Sequence, residues 1–123
     1  MEGIEVKLDL TKQGLAMMFR EYEELMIRHM WEDPKPIGSG PLWEMVNEKL
    51  PDGKSISRAS VIFAANRYVE NGMWAFEDHT GKGGHHRRYY PLVTEEELWT
   101  AVAKAAQNKL NLSADTSVLQ LVE

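Results

Sequence analysis

Residues 73–93 read MWAFEDHTGKGGHHRRYYPLV. Trp74 and Phe76 alternate with Ala75 and Glu77, the two-residue period of a half-buried strand. Thr80-Gly81-Lys82-Gly83-Gly84 gives a glycine-rich tip, and residues 85–92 return as a second strand. Pro91 has no N–H for a ladder bond and puts the end of that strand at an edge. Lys82, Arg87 and Arg88 make the hairpin basic. Just before it, a helical pattern over residues 57–71 stops at Glu70-Asn71-Gly72, where Gly72 suits the position past a helix end. A helix, a glycine stop and a basic two-stranded hairpin, in that order, predict a winged helix-turn-helix.

Upstream, Ser57 is the expected cap of this third helix. Val61, Ala65 and Tyr68 project to one side, with Ile62 and Val69 beside them. Ala59, Phe63, Asn66, Arg67 and Glu70 point the other way. Pro51-Asp52-Gly53 is a turn. Before it, Leu42, Met45, Val46 and Leu50 form the buried face of a second helix, with Ser39 as its expected cap and Pro41 in its first turn. Ile37-Gly38-Ser39-Gly40 reads as loop. A first helix is expected from an N-cap at Thr11 to the Asp33-Pro34-Lys35-Pro36 stop. Its face would be Leu15, Met18, Phe19, Tyr22, Met26, His29 and Met30. Residues 1–10 alternate weakly and suggest a short edge strand or an arm.

Downstream, Thr94-Glu95-Glu96-Glu97 is a helix start with a reciprocal cap. Leu98, Val102, Ala105, Ala106 and Leu110 share one face. A break is expected at Asn111, then a last short helix containing Val118, Leu119, Leu121 and Val122. The expected architecture is mainly α with a small antiparallel hairpin. Residues 1–93 would form the winged helix-turn-helix domain and residues 94–123 a C-terminal helical segment. The segment's apolar positions exceed what a small winged domain is expected to cover. Leu98, Val102, Ala106, Leu110, Val118, Leu119 and Val122 are therefore expected to form a homodimer interface.

The chain of 123 residues carries 14 Lys and Arg against 19 Asp and Glu, a net charge of −5. The deficit lies at the two ends. Lys54, Arg58, Arg67, Lys82, Arg87 and Arg88 occupy the middle segment against Glu70, Glu77 and Asp78, and three of the four histidines lie there too. A local basic footprint matters more for phosphate binding than the total charge. Without cysteine, disulfides and thiolate metal sites are excluded. No apolar run approaches the roughly 20 residues of a membrane span, and the start lacks the pattern of a signal peptide. A cytoplasmic protein is the expectation.

These features point to double-stranded DNA as partner. Residues 57–71 are the expected recognition helix, with Arg58, Ser60, Asn66 and Arg67 reading base edges; Arg pairs bidentately with guanine and Asn with adenine. Residues 73–93 are the expected wing, with Lys82, His85, Arg87 and Arg88 at phosphates. Against this stand a solvated helix face that happens to carry two arginines and an ordinary polar hairpin. The exposed position of Phe63 admits either a thymine methyl or a protein as its neighbour. The alternative function is a winged-helix protein-interaction module without specific DNA binding, which the acidic total and the acidic first helix favour.

Asp78, His79, His85 and His86 hold zinc-type donors, but adjacent His85 and His86 on a strand point to opposite faces and chelate poorly, so no metal is expected. No cofactor is implied. The sequence lacks a P-loop, a G-x-S-x-G elbow and H-E-x-x-H, and gives no reason to expect an enzyme. A regulator that responds to a small-molecule effector is a variant of the DNA-binding reading.

Val69-Glu70-Asn71-Gly72-Met73-Trp74 resembles the helix-to-wing junction of many winged-helix repressors. The run from Arg87-Arg88-Tyr89-Tyr90-Pro91 through Leu92-Val93-Thr94-Glu95-Glu96-Glu97 is similar to the wing-to-dimerisation-helix junction of the penicillinase repressor family. Asn108-Lys109-Leu110 recurs at a similar place in some members. The resemblance covers about residues 22–122. It implies a homodimeric repressor that reads an inverted repeat and dimerises through its C-terminal helices. Two features depart from the family. Arg58-Ala59-Ser60-Val61-Ile62-Phe63 replaces a Thr-rich, lysine-containing start of the recognition helix, so the operator does not transfer. Ala105-Ala106 stands where antibiotic-responsive members carry a cleaved Asn-Phe pair, and copper-responsive relatives carry C-terminal cysteines absent here; the inducing signal does not transfer either.

Overall fold

Ser57 caps the helix it precedes: its Oγ accepts the N–H of Ser60 at 3.1 Å. At the other end Asn71 is the cap residue, and Gly72 takes φ +85°, a left-handed conformation that glycine adopts without a Cβ clash. The computed structural model describes residues 7–81 and 84–109. In chain order it contains α1 (Glu21–Glu32), β1 (Ile37–Gly38), α2 (Ser39–Lys49), α3 (Arg58–Glu70), β2 (Trp74–Gly81), β3 (Gly84–Pro91) and α4 (Glu95–Lys109). A 3-10 turn, Gly14–Met17, precedes them. This is a mainly helical winged helix-turn-helix with a small antiparallel sheet.

The first helix differs from the expectation. Gly14 has φ +62°, and the turn closes when the N–H groups of Met18 and Phe19 both reach the Leu15 carbonyl. Arg20 is then extended, and α1 begins only at Glu21. Thr11 caps no helix; its N–H and hydroxyl both donate to Asp9 Oδ1 in a local turn. This break shifts the helical phase. The buried positions of α1 are Glu23, Met26, Ile27 and Met30, whereas Tyr22 and His29 are half-buried. The stop before Pro34 falls where the sequence places it, with Asp33 as C-cap.

Two further corrections concern residues 37–39. Ile37 and Gly38 are not loop. They pair antiparallel with Tyr89 and Arg88, giving a three-stranded sheet of order β1-β3-β2 with β3 in the centre. Gly38, not Ser39, is the N-cap of α2, and Ser39 is the first helical residue.

The turn between α2 and α3 is held by side chains of α2. Asn47 accepts the Ile56 N–H at 2.9 Å and donates to the Ile56 carbonyl at 3.2 Å, and Trp43 Nε1 donates to that carbonyl at 2.8 Å. An aromatic chain forms much of the core: Phe19 packs edge-on to Tyr68, Tyr68 to Trp74, and Trp74 leans on Tyr89. Aromatic pairs of this kind add to simple area burial. The start of α4 carries the expected reciprocal cap, with Thr94 Oγ1 accepting from Glu97 N and Thr94 N donating to Glu97 Oε1. Trp31 Nε1 donates to the Val93 carbonyl at 3.1 Å, tying α1 to the entrance of α4.

Leu98 and Val102 are buried within this same core. Both were expected at a homodimer interface. Within the single chain their side chains are already removed from water in its own core. Ala106 is half-buried. Leu110, Val118, Leu119 and Val122, together with the expected break at Asn111 and the last helix, lie outside the described residues, as do Lys82 and most of the expected N-terminal strand.

Candidate nucleic-acid interface

α3 turns Val61, Ala64, Ala65 and Tyr68 into the core. One flank of its outer surface meets β3, the other meets α1. Alternation along the hairpin puts Trp74, Phe76 and Asp78 on one face with Tyr89, Arg87 and His85. Ala75, Glu77 and His79 share the other face with Tyr90, Arg88 and His86.

Asn66 joins helix and wing. Its Oδ1 accepts from the Tyr89 hydroxyl at 2.7 Å and from Arg87 Nη1 at 3.1 Å. The Arg87 guanidinium also lies over the Phe76 ring, 4.0 Å from its centroid, a cation–π arrangement that fixes a long side chain. Burial pushes the Tyr89 hydroxyl above its ordinary pKa, with Arg87 acting in the opposite sense. Both lone pairs of Asn66 Oδ1 are thereby occupied. The bidentate adenine contact expected of Asn66 needs that oxygen, so Asn66 positions the wing in this arrangement.

Arg67 is engaged on the opposite flank. Its Nη2 donates to Glu23 Oε2 at 3.0 Å, and the Tyr68 hydroxyl donates to the same carboxylate oxygen. Glu23 is 6% exposed, and the Arg67 side chain 56%. Burial raises the Tyr68 pKa far above the ordinary tyrosine range, and the neighbouring Glu23 carboxylate adds to the rise. Burial works against the Arg67 charge, but Glu23 and Tyr68 more than offset it and the net shift is upward. The expected base reader is thus the counterion of a buried carboxylate, turned toward α1.

Arg58 and Ser60 lie at the start of α3. Arg58 Nη2 donates to Ser39 Oγ at 3.2 Å, and its guanidinium packs over Gly40 at the start of α2. It has no acidic partner among the described residues. Ser60 Oγ is 2.9 Å from Ser57 Oγ, inside the cap. His85, His86, Arg87 and Arg88 are all exposed along β3. Arg88 stands across from Glu77, whose Oε2 is 3.0 Å from His79 Nε2. His85 and His86 point to opposite faces of the strand. Among the described residues no group of three His, Asp or Glu side chains is arranged to hold a metal ion. No helix among them is long and apolar enough to cross a membrane.

The candidate surface therefore consists of Arg58 at the N-terminal end of α3, the exposed line of Ala59 and Phe63, and the basic side of β3. Sequence reasoning missed Glu23 and Ser39 as the groups that hold Arg67 and Arg58, and Tyr89 as the second donor to Asn66. Glu23 had a legible signal: it stands three residues before Met26 and four before Ile27, which places it on the apolar stripe. Ser39 and Tyr89 had none, because their partners are remote in the chain.

No protein-family model matches this sequence, and a search of curated proteins finds no match. Among solved structures, the chain is similar to one named "putative transcriptional regulator TA0346 from Thermoplasma acidophilum". The TM-score is 0.49 and the identity 15%, over 78% of this chain and 93% of that one.

Proposed function

We propose that this chain is a sequence-specific DNA-binding transcriptional regulator, acting as a homodimeric repressor on an inverted repeat. The observation that carries this reading is the junction of α3 and β3 through Asn66, Arg87 and Tyr89. It fixes a basic hairpin beside an outward helix, so both can meet one duplex without ordering on contact. Arg58 enters at the N-terminal end of α3, next to Ser60. Arg87, Arg88, His85 and Lys82 meet phosphates along the wing. Resemblance to the penicillinase repressors at the wing-to-helix junction supports the repressor role. The dimer uses Ala106, Leu110, Val118, Leu119 and Val122, since Leu98 and Val102 serve the chain's own core.

Selection of bound duplexes from random DNA, repeated at two salt concentrations, tests this function. Enrichment of an inverted repeat with a steep salt dependence is the expected result. The rival reading is a protein-interaction module, favoured by the net charge of −5 and by Phe63. An absence of enrichment would favour that rival.

A further inference from the structure

The outward face of α3 presents carbon at its centre, not hydrogen-bond donors. With Val61, Ala64, Ala65 and Tyr68 in the core, a turn of about 100° per residue puts Ala59, Phe63 and Glu70 on the opposite side. Phe63 is 71% exposed, and Ala59 is exposed with it. Apart from Glu70 at the C-terminal end of this line, the polar groups of α3 flank it and are engaged. Arg67 meets Glu23, Asn66 Oδ1 meets Arg87 and Tyr89, Ser60 meets Ser57, and Arg58 meets Ser39. Among the described residues Phe63 is absent from the side chains that pack on the core, so their packing gives no reason for an aromatic ring there.

We propose that Phe63, with Ala59 one turn before it, reads thymine 5-methyl groups in the major groove. The preferred DNA site then carries thymines at fixed positions beneath α3. This rests on the DNA-binding reading above and names the base chemistry of that same surface. Among the four bases only thymine offers a methyl group to the major groove, and apolar side chains recognise it. Ala59 and Phe63 are about 6 Å apart along the helix axis. That is close to two base steps of about 3.4 Å each.

Charge complementarity selects DNA as the occupant. Arg58 stands at the N-terminal end of the apolar line, and Arg87, tied to α3 through Asn66, stands on the wing beside it. Cations bounding an apolar strip match the phosphate ridges that bound a groove. Glu70 repels phosphate at the far end of the line, which confines docking to the first two turns of α3.

The test uses the full chain and a duplex selected from random DNA. Each thymine of that duplex is replaced in turn by uracil, which pairs with adenine alike and lacks only the methyl group. Beneath Phe63 and Ala59, binding should weaken about fourfold per methyl, equivalent to about 0.8 kcal/mol. Phe63→Ala removes an exposed ring and should melt like the parent. It should bind the parent duplex about tenfold more weakly and lose the distinction between thymine and uracil at its own position. Should that variant melt early, the uracil series on the parent chain still decides the matter. The proposal is overturned if no uracil substitution weakens binding, or if a folded Phe63→Ala chain keeps the parent's thymine preference; DNA binding itself would survive either result. If selection enriches no duplex, both readings fall and Phe63 belongs to a protein interface.

Discussion

At the scale of single residues, Glu23 decides what Arg67 does. A carboxylate at 6% exposure needs donors, and α3 supplies two, Arg67 and Tyr68. Arg67→Ala should destabilise the fold by about 1–3 kcal/mol in chemical denaturation, because it leaves that carboxylate short of a charged donor. Arg58→Ala should leave stability unchanged and weaken DNA binding. Equal effects of the two variants on stability would contradict these assignments. The pH dependence follows from Tyr68. Its pKa is raised in the fold, so its contribution is fully present below the unfolded tyrosine value of about 10 and is lost as pH rises above it. Denaturation midpoints should fall between about pH 9 and 11, and Tyr68→Phe should flatten that fall while lowering stability at neutral pH by about 1–3 kcal/mol. Tyr89, shifted in the same direction, accounts for residual slope.

At the scale of elements, the local signals that were legible are those satisfied within one turn of chain. Ser57 at the start of α3, Gly72 at its end and the Thr94–Glu97 cap all bond to near neighbours, so residue type and spacing suffice to place them. The first helix departs from its expected start for a related reason. The apolar spacing of the sequence runs on through Met18 and Phe19, whereas the backbone is interrupted there by a 3-10 turn and an extended Arg20, which spacing alone does not reveal. β1 leaves no trace in the sequence because two residues have no period, and its partners Tyr89 and Arg88 are remote in the chain. The turn between α2 and α3 gives a direct test. Asn47→Ala removes the bonds to both the N–H and the carbonyl of Ile56 and should cost about 1–3 kcal/mol in thermal melts. Thr94→Ala should cost about 1 kcal/mol through loss of the α4 cap. The Asn47 variant should also weaken DNA binding, since it loosens the angle between the two helices.

At the scale of the whole molecule, α4 belongs to the core before it can belong to a dimer. Leu98→Ala should destabilise the folded chain by about 2–5 kcal/mol, a loss that does not depend on protein concentration. Dimerisation through the C-terminal segment predicts a different signature: sedimentation of the full chain should depend on concentration, and truncation after Lys109 should abolish that dependence without unfolding the protein. A full-length chain sedimenting as a monomer at micromolar concentration would remove the case for a palindromic site. Composition and spacing by themselves determined the succession α2, α3, β2, β3 and α4, the basic middle segment and the caps of α3 and α4. These are set by backbone preferences and by hydrophobic period, which act over a few residues. Tertiary structure alone decided which arginines are free. Arg58, Arg67 and Arg87 look alike as sequence, yet one meets a serine hydroxyl, one a buried carboxylate and one an amide and an aromatic face. The reason is that a cation's availability depends on the partner brought to it through space. Their hydrogen-bonding partners lie 19 to 44 residues away in the chain, beyond the reach of any local pattern.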